Sequence, residues 1–452
     1  MSAWAERRLH FIGIGGAGMS GLALVCARLG ASVTGSDRAD SSYMERLRAA
    51  GLEPAVGHDA GNLPEGAEVV VSTAIAPDNP ELALARERGR EPIHRGELLA
   101  ELCAEKRLIA VAGTHGKTTT TAMVVWALRR LGEDPAFFVG GEVGGMGPDG
   151  EAANASWGEG KWVVAEADES DASFLRLRPE IAVVTNIEMD HHSRWGSLTE
   201  LTRAFEQFVA AAEGLVLPDE APLPVPMRQY ERPVDVLYGR AVKTKRLQRF
   251  EAGAPGPPDL RLAVLGRHNI LNARAALAAI ELAGLDVEAA AEALATFPGV
   301  RRRLEYKGSY VGSRVFDDYA HHPTEVRAAL EALRAEEPAS LIAVFQPHLY
   351  SRTKSLAEDF GAALAIADEV IVLDVYPARE QPVGELDGVS GRLVLAAAED
   401  RMGGRSPWWA PSRESALRAV RACAGGENQI VVTIGAGDVH RVGEALVEEG
   451  RR

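Results

Sequence analysis

Short apolar runs recur along this chain, each closed by a turn signal and followed by a helical pattern. That alternation constrains the fold more than any other feature. The runs are Leu9–Ile14, Val69–Ser72, Leu108–Ala112, Trp162–Ala165, Ile181–Thr185, Leu341–Phe345, Val370–Asp374 and Ile430–Ile434. Continuous apolar runs of this length suit strands buried on both faces. Strands separated by helices cannot pair as tight hairpins and need crossover connections. The pattern therefore predicts an α/β protein of parallel sheets covered by helices on both sides. Two helices are well delimited. One follows the first strand and a glycine loop, runs through Leu29 and stops at Gly30. The other carries Met123, Val124, Leu128 and Leu131 at helical spacing and stops at Gly132.

A chain of 452 residues holds two to four domains at roughly 100–200 residues each. Three blocks are expected: residues 1–100, ending before a second strand–loop–helix begins; residues 101–298, ending at Phe297-Pro298; and residues 299–452. The proline-rich stretches Pro218–Pro233 and "GAPGPPD" read as loops within the second block. The net charge of −15, with no offsetting basic run, argues against a nucleic-acid partner. Three distant cysteines, Cys26, Cys103 and Cys423, make neither a metal spacing nor a disulfide framework. No apolar stretch reaches the ~18 residues of a membrane span, and glycines break the one near the N-terminus. A cytoplasmic protein without membrane insertion is the expectation, with oligomeric state left open.

Two glycine loops carry the chemistry. "GIGGAG" places Gly13, Gly15 and Gly18, with Gly16 between them, at dinucleotide-loop spacing, and Asp37 follows 19 residues after Gly18. Such a loop lets backbone approach a diphosphate at a helix N-terminus. NAD and a UDP-sugar present that group equally, so a dehydrogenase stays open at this point. "GTHGKT", Gly113–Thr118, is a P-loop shortened by two residues. It keeps the Gly-Lys-Thr end, where Lys117 would neutralise phosphate charge and Thr118 would offer a hydroxyl to Mg²⁺. His115 is expected to pack locally without a catalytic role. Glu166 closes the next strand, with Asp168, Glu169 and Asp171 crowding it, well placed to hold Mg²⁺ or else a solvated acidic loop. Asn186, Glu188, Asp190 and His191 end another strand, and His191 is a candidate second metal ligand. Asn269 and Asn272 share one helix face, where amides read a base edge or simply cap the helix.

In the third block, Tyr319, His321 and His322 follow one strand, and His348, Tyr350 and Arg352 follow another. Arg352 could grip a carboxylate bidentately.

"GTHGKTTT", "EADESDASF", "TNIEMDH", "GRHNILN", "DDYAHHPTEV" and "QPHLYSRT", in that order after "GIGGAGM", resemble the Mur ligases along nearly the whole chain. The resemblance implies a Rossmann-like domain for a UDP-sugar, a central ATPase domain and a Rossmann-like C-terminal domain for the amino acid. It implies an ADP-forming ligase that joins L-alanine to UDP-N-acetylmuramate through an acyl phosphate. Addition of a recycled peptide to the same sugar nucleotide is the alternative. By resemblance, Gly13, Gly15, Gly16 and Gly18 face the UDP diphosphate, with Asp37, His58 and Ser72 along the uridine. Gly113, Thr114, Gly116, Lys117, Thr118 and Thr119 take the ATP phosphates, and Thr118, Glu166 and His191 take Mg²⁺. His268, Asn269 and Asn272 flank the adenine, and Arg302 points toward the γ-phosphate. Tyr319, His321, His348 and Arg352 surround the amino acid. Two positions depart from the family pattern: Leu349 stands where many relatives carry Arg, and Trp195 lies in a stretch, His192–Trp195, that replaces the usual Asp-aromatic pair.

Overall fold

A computed structural model describes residues 3–147, 150–190, 194–218, 236–237, 240–241, 246–250, 260–378 and 380–451. Most of the proline-rich stretch Pro218–Pro233, and all of "GAPGPPD", lie outside the described residues. The described residues form three α/β sheets in two compact units, residues 1–262 with 270–298, and residues 263–269 with 299–452.

The first sheet comprises β1 (Arg8–Ile12), β2 (Ser32–Asp37), β3 (Ala55–Val56), β4 (Glu68–Val71) and β5 (Ile93–His94), in the order β3-β2-β1-β4-β5 and parallel throughout. Its helices are α1 (Ala17–Arg28), α2 (Ser42–Ala49), α3 (Pro80–Glu87) and α4 (Arg95–Ala104). The order reverses beside β1, so the loop after β1 opens at a switch point, where α/β sheets take ligands.

The second sheet is built from β6 (Arg107–Ala112), β7 (Ala136–Val143), β8 (Ala153–Ser156), β9 (Trp162–Glu166), β10 (Ile181–Val184), β11 (Gly214–Pro218) and β14 (Arg246–Phe250). A separate two-residue pair, β12 (Val236–Leu237) with β13 (Arg240–Ala241), precedes β14. Helices α5 (Lys117–Arg130), α6 (Leu198–Ala210), α7 (Arg267–Leu282) and α8 (Val287–Leu294) accompany it. The order is β14-β11-β10-β6-β9-β7-β8. All pairs are parallel except the β7–β8 edge hairpin, which departs from the all-parallel expectation. Ile109, Ala110, Val111 and Ala112 of β6 have no exposed surface, as a central parallel strand requires. Helix α5 is held on its outer side by α8: the Trp126 indole donates to the Ala293 carbonyl at 3.0 Å and meets Phe297 edge-on.

One continuous apolar core runs from the first sheet into the second. Leu98, Leu102 and Cys103 of α4 join Leu9 and Phe11 to Leu108, Ala110, Phe174 and Phe205. Each fully buried Leu or Phe contributes about 1.5–3 kcal/mol. The chain therefore passes from the first sheet to the second through a buried helix rather than an exposed linker.

The third sheet has the order β15-β16-β20-β17-β18-β19, with β15 (Glu305–Tyr310), β16 (Ser313–Asp318), β17 (Ser340–Phe345), β18 (Glu369–Val372), β19 (Trp408–Trp409) and β20 (Gln429–Ile434). Only β15–β16 is antiparallel. Its side chains alternate between two cores. Leu341, Ala343 and Phe345 face α9 (Pro323–Arg334), α10 (Tyr350–Leu364) and α11 (Arg392–Glu399), while Ile342 and Val344 face α12 (Arg413–Cys423) and α13 (His440–Gly450). That period-two split gives the doubly covered sheet expected from the sequence. Among the described residues, no helix is long and apolar enough to cross a membrane.

Candidate active site

Strand β6 delivers the chain into the shortened P-loop, and the loop folds against the residues that leave β10. Gly113 adopts φ +137° and Gly116 φ +80°, backbone that L side chains rarely take. A Cβ on Gly113 would collide with the Thr185 hydroxyl, and one on Gly116 would lie 2.5 Å from the Asn272 amide oxygen. The Thr185 hydroxyl and the Asn186 amide both donate to the His115 carbonyl, at 2.6 and 2.9 Å. The Asn186 side chain also accepts from the His115 N–H at 2.9 Å. Thr114 exchanges hydrogen bonds with the Glu188 backbone, and the His115 imidazole sits 3.3 Å from the Glu188 carboxylate. His115 is thus held by the residues that leave β10, and the "TNIE" stretch is the wall of the P-loop.

Lys117 opens α5 and folds back over its own loop. Its ammonium donates to the Gly113 and Thr114 carbonyls at 2.7 and 3.1 Å and meets Glu169 at 2.8 Å. Burial opposes its charge, but Glu169, with Asp168 and Glu166, outweighs burial and holds the ammonium above its usual range. Burial pushes the Glu169 carboxyl up to about 7 against the pull of Lys117. Asp168 is only half-buried, and Lys117 and Arg95 outweigh its desolvation and hold it down at about 2. The Thr118 hydroxyl donates to Glu166 Oε1 at 3.0 Å, and the Gly140 N–H of β7 donates to Glu166 Oε2 at 2.7 Å. Thr119 is buried in the first turn of α5, and Thr120 donates to the Asn272 amide oxygen at 3.2 Å. Lys117, Thr118, Glu166 and Asn272 therefore meet at one sheet edge. His191 lies outside the described residues.

At the first sheet, Gly13 takes φ +81° in the loop after β1. The Gly15 N–H donates to Asp37 Oδ2 at 2.9 Å, so the two residues singled out in the sequence touch. Gly16 caps α1 and Gly18 lies in its first turn. Ser72 accepts from the Ala74 N–H at 3.4 Å. His58 belongs to a buried network that the sequence did not reveal. The Ser36 hydroxyl donates its one proton to Glu81 at 2.6 Å, so His58 Nδ1, 2.9 Å away, must be the donor to Ser36. His10, Asn62 and the Asp59 N–H also reach Glu81. Burial would push the Glu81 carboxyl up, but His10, Ser36 and Asn62 hold it down at about 2.

The third sheet gathers a separate cluster at its carboxyl edge. The Tyr319 and His321 rings meet edge-on at 5.4 Å, His321 and His348 at 6.1 Å, and Tyr376 stacks on His348 at 5.9 Å. The Arg302 guanidinium lies over Tyr319, donates to Asp317 at 3.0 Å and to the Gly435 and Gly437 carbonyls at 2.7 and 3.2 Å. Those glycines form a third glycine loop, "GAGD" after β20, which was readable from its strand–Gly-x-Gly–helix order but was not singled out. Arg352 is buried in the first turn of α10, which starts after Leu349. Arg302 (φ +59°) and Leu349 (φ +69°) are both in left-handed backbone. Such strain costs about 1–3 kcal/mol per residue and gathers at functional sites. In the same unit, burial and Arg303 push His268 down to about 4, so it is neutral near pH 7. The Asn269 amide donates to the Leu265 carbonyl at 2.7 Å.

Gly140 and Trp195 were not picked out as functional. Gly140 lies inside a strand, a signal of close approach, and a Cβ there would stand 2.6 Å from Glu166 Oε2. The Trp195 indole donates to the Glu169 carbonyl at 3.1 Å and pins the acidic loop.

Residues 8–107 match the domain described as "Mur ligase family, catalytic domain", residues 111–280 the "Mur ligase middle domain", and residues 302–437 the "Mur ligase, glutamate ligase domain". The UDP-N-acetylmuramate–L-alanine ligase of Rubrobacter xylanophilus is 46% identical, covering 97% of this chain and 99% of the relative. The enzyme of that name from Renibacterium salmoninarum is 45% identical, covering 98% and 95%. The crystal structure of the Thermotoga maritima UDP-N-acetylmuramate-alanine ligase superposes with a TM-score of 0.80 at 29% identity, covering 98% of this chain and 99% of that one.

Proposed function

The chain belongs to the Mur ligase family, and on that premise we propose that it joins L-alanine to the lactyl carboxyl of UDP-N-acetylmuramate, consuming ATP to ADP and phosphate. The product is a precursor of peptidoglycan. The observation that carries the reading is the meeting of Lys117, Thr118 and Glu166 at the β6–β9 edge, in a chain whose full-length relatives carry the alanine ligase's name. A dehydrogenase leaves that edge without a purpose, and the recycled-peptide alternative is not better supported than alanine addition.

A carboxylate is a poor acyl donor until an oxygen is converted to a leaving group. In this reading, the glycine loop Gly113–Gly116, Lys117, Thr118 and Thr119 hold the ATP phosphates. The lactyl carboxylate attacks the γ-phosphorus in line, giving an acyl phosphate and ADP. The amine of L-alanine then displaces phosphate. Lys117 is held as an ammonium throughout, which suits neutralisation of phosphoryl charge. The hydroxyl of Thr118 and the carboxylate of Glu166 are hard oxygen donors of the kind magnesium takes, and these two would hold it. Magnesium there would supply further charge neutralisation to the transferring group.

Blocks 1–100, 101–298 and 299–452 would then bring sugar nucleotide, ATP and amino acid respectively. Gly13, Gly15, Gly16 and Gly18 are assigned to the diphosphate, and Asp37, His58 and Ser72 to the uridine side. His268, Asn269 and Asn272 are assigned to the adenine and Arg302 to the γ-phosphate. Tyr319, His321, His348 and Arg352 are assigned to L-alanine. The protein's share in amide formation is positioning of amine against acyl phosphate. A cytoplasmic setting follows from the substrates assigned.

The test uses UDP-N-acetylmuramate labelled with ¹⁸O in the lactyl carboxylate. One labelled oxygen should leave in each inorganic phosphate, and ADP should form only with both sugar nucleotide and an amino acid present, L-alanine best in a panel. Unlabelled phosphate, or AMP with pyrophosphate, would overturn the activation step.

A further inference from the structure

Arg95 has no role so far. It is the first residue of α4, on the first sheet's side of the chain, yet its guanidinium reaches the loop that follows β9. Nη2 donates to Asp168 Oδ2 at 2.8 Å and to Asp171 Oδ2 at 2.7 Å. Each carboxylate uses its other oxygen on its own turn: Asp168 Oδ1 accepts from the Ser170 N–H at 3.0 Å, and Asp171 Oδ1 from the Ser173 N–H at 2.9 Å. One guanidinium therefore fastens two consecutive turns at a single point. Glu169 is the middle residue of the first of those turns, with its carboxylate on Lys117 and its carbonyl on Trp195. At its other end the guanidinium abuts α1, where a Cβ on Gly18 would stand 3.7 Å from Nη1. The side chain is 20% exposed.

We propose that Arg95 is a positioning residue for phosphoryl transfer, acting through Asp168 and Asp171 to hold Glu169, and so Lys117, in register with the P-loop. This rests on the assignment of the P-loop to ATP. In this role Arg95 acts through Asp168 and Asp171, while its Nη1 faces the first turn of α1 at Gly18. The rival explanation is that it merely glues α4 to the loop. The same seam offers the comparison needed, because Arg176 and Glu97 form an ion pair at 2.7 Å across it without contacting the acidic turns.

The experiment compares full-length wild type, Arg95→Ala, Arg95→Lys, Asp171→Asn and Arg176→Ala. It measures kcat, the KM of each substrate, ADP affinity by calorimetry, and thermal unfolding. Arg95→Ala should lower kcat roughly 10–100-fold, the scale of a small misplacement at a reacting centre. ADP binding should weaken at least several-fold, and the KM for L-alanine should stay put. Arg95→Lys should fall between, because an ammonium lacks the planar fork. Arg176→Ala should leave kcat and ADP affinity at wild-type values even if its unfolding temperature drops. Arg95→Ala combined with Asp171→Asn should be no slower than Arg95→Ala alone. If Arg95→Ala does not fold, the isosteric Asp171→Asn carries the test, with the same two losses expected at smaller size. Wild-type kcat and ADP affinity in the folded Arg95 variants, or equal losses in Arg176→Ala, would overturn the proposal. Failure of the wild type to make ADP with sugar nucleotide and alanine would instead overturn the ligase reading, since the effect of Arg95 on ADP affinity is read without turnover.

Discussion

Replacing Gly140 by Ala adds a single methyl group to a strand whose backbone accepts any residue, because Gly140 is not among the glycines at positive φ. The methyl would stand 2.6 Å from Glu166 Oε2 and 2.9 Å from both Cδ and Oε1. Such contacts cannot persist, and the Glu166 carboxylate must swing away. Two hydrogen bonds depend on its present place: the Gly140 N–H at 2.7 Å and the Thr118 hydroxyl at 3.0 Å. A hydrogen bond to a charged group is worth about 1.5–3 kcal/mol. Loss of one, expressed in the transition state, lowers turnover roughly 10–150-fold. The measurement is steady-state ADP formation across a magnesium titration, beside thermal unfolding. Gly140→Ala should show the lowered kcat and need more magnesium for half-maximal rate. Its KM for L-alanine should be unchanged. Wild-type kcat with a wild-type magnesium requirement would refute the claim that Gly140 sets the Glu166 carboxylate.

Lys117→Ala should abolish ADP formation yet leave calorimetric affinity for UDP-N-acetylmuramate largely intact, since the two glycine loops belong to different sheets; joint loss of both would count against separate sites. Arg352→Ala should raise the KM for L-alanine far more than that for ATP, by the roughly 2–5 kcal/mol that truncating a buried charged partner costs; an unchanged alanine KM places the carboxylate elsewhere. Glu81→Gln should destabilise the protein on the order of 3 kcal/mol at neutral pH, because the fold holds this carboxyl at about 2 against an ordinary 4.5. A depressed folded value makes that stability complete above about pH 4.5 and lost as pH falls toward 2, so the gap between wild type and variant should close in acid. Denaturant unfolding from pH 7 to pH 3 checks this, and a gap independent of pH would exclude the ionised network.

Much of this could be read in advance where the signal was local. The strands of the sheet centres announced themselves as apolar runs, and Lys117 and Glu166 stood beside a glycine loop and a strand end. Strand β2 did not, because its "SVTGSD" is mostly small and polar and buries only Gly35 and Ser36, the latter through its hydrogen bond to Glu81. The β7–β8 hairpin was hidden by Gly140 and Gly141, which break the strand pattern, Gly140 leaving room for Glu166. Arg95 meets Asp168 across 73 positions, and His10 meets Glu81 across 71. No local pattern reports pairings of that kind. Tyr376 behind His348 was missed for the same reason, while the glycine loop at Gly435–Gly437 was legible by the grammar already applied to Gly13–Gly18.

The helix that carries the chain out of the first sheet is also interior wall for the second, through Leu98, Leu102 and Cys103. That makes residue 100 a poor place for recombination. A chimera joined there would set one parent's half of α4 against the other parent's Phe174 and Phe205, and would split Arg95 from Asp168 and Asp171. Crossovers near residue 298, where one compact unit hands over to the other, leave that core in a single parent's hands. Grafts joined near residue 298 should therefore be better tolerated in the laboratory than grafts joined near residue 100, because residues 1–100 would have to travel together with the second sheet.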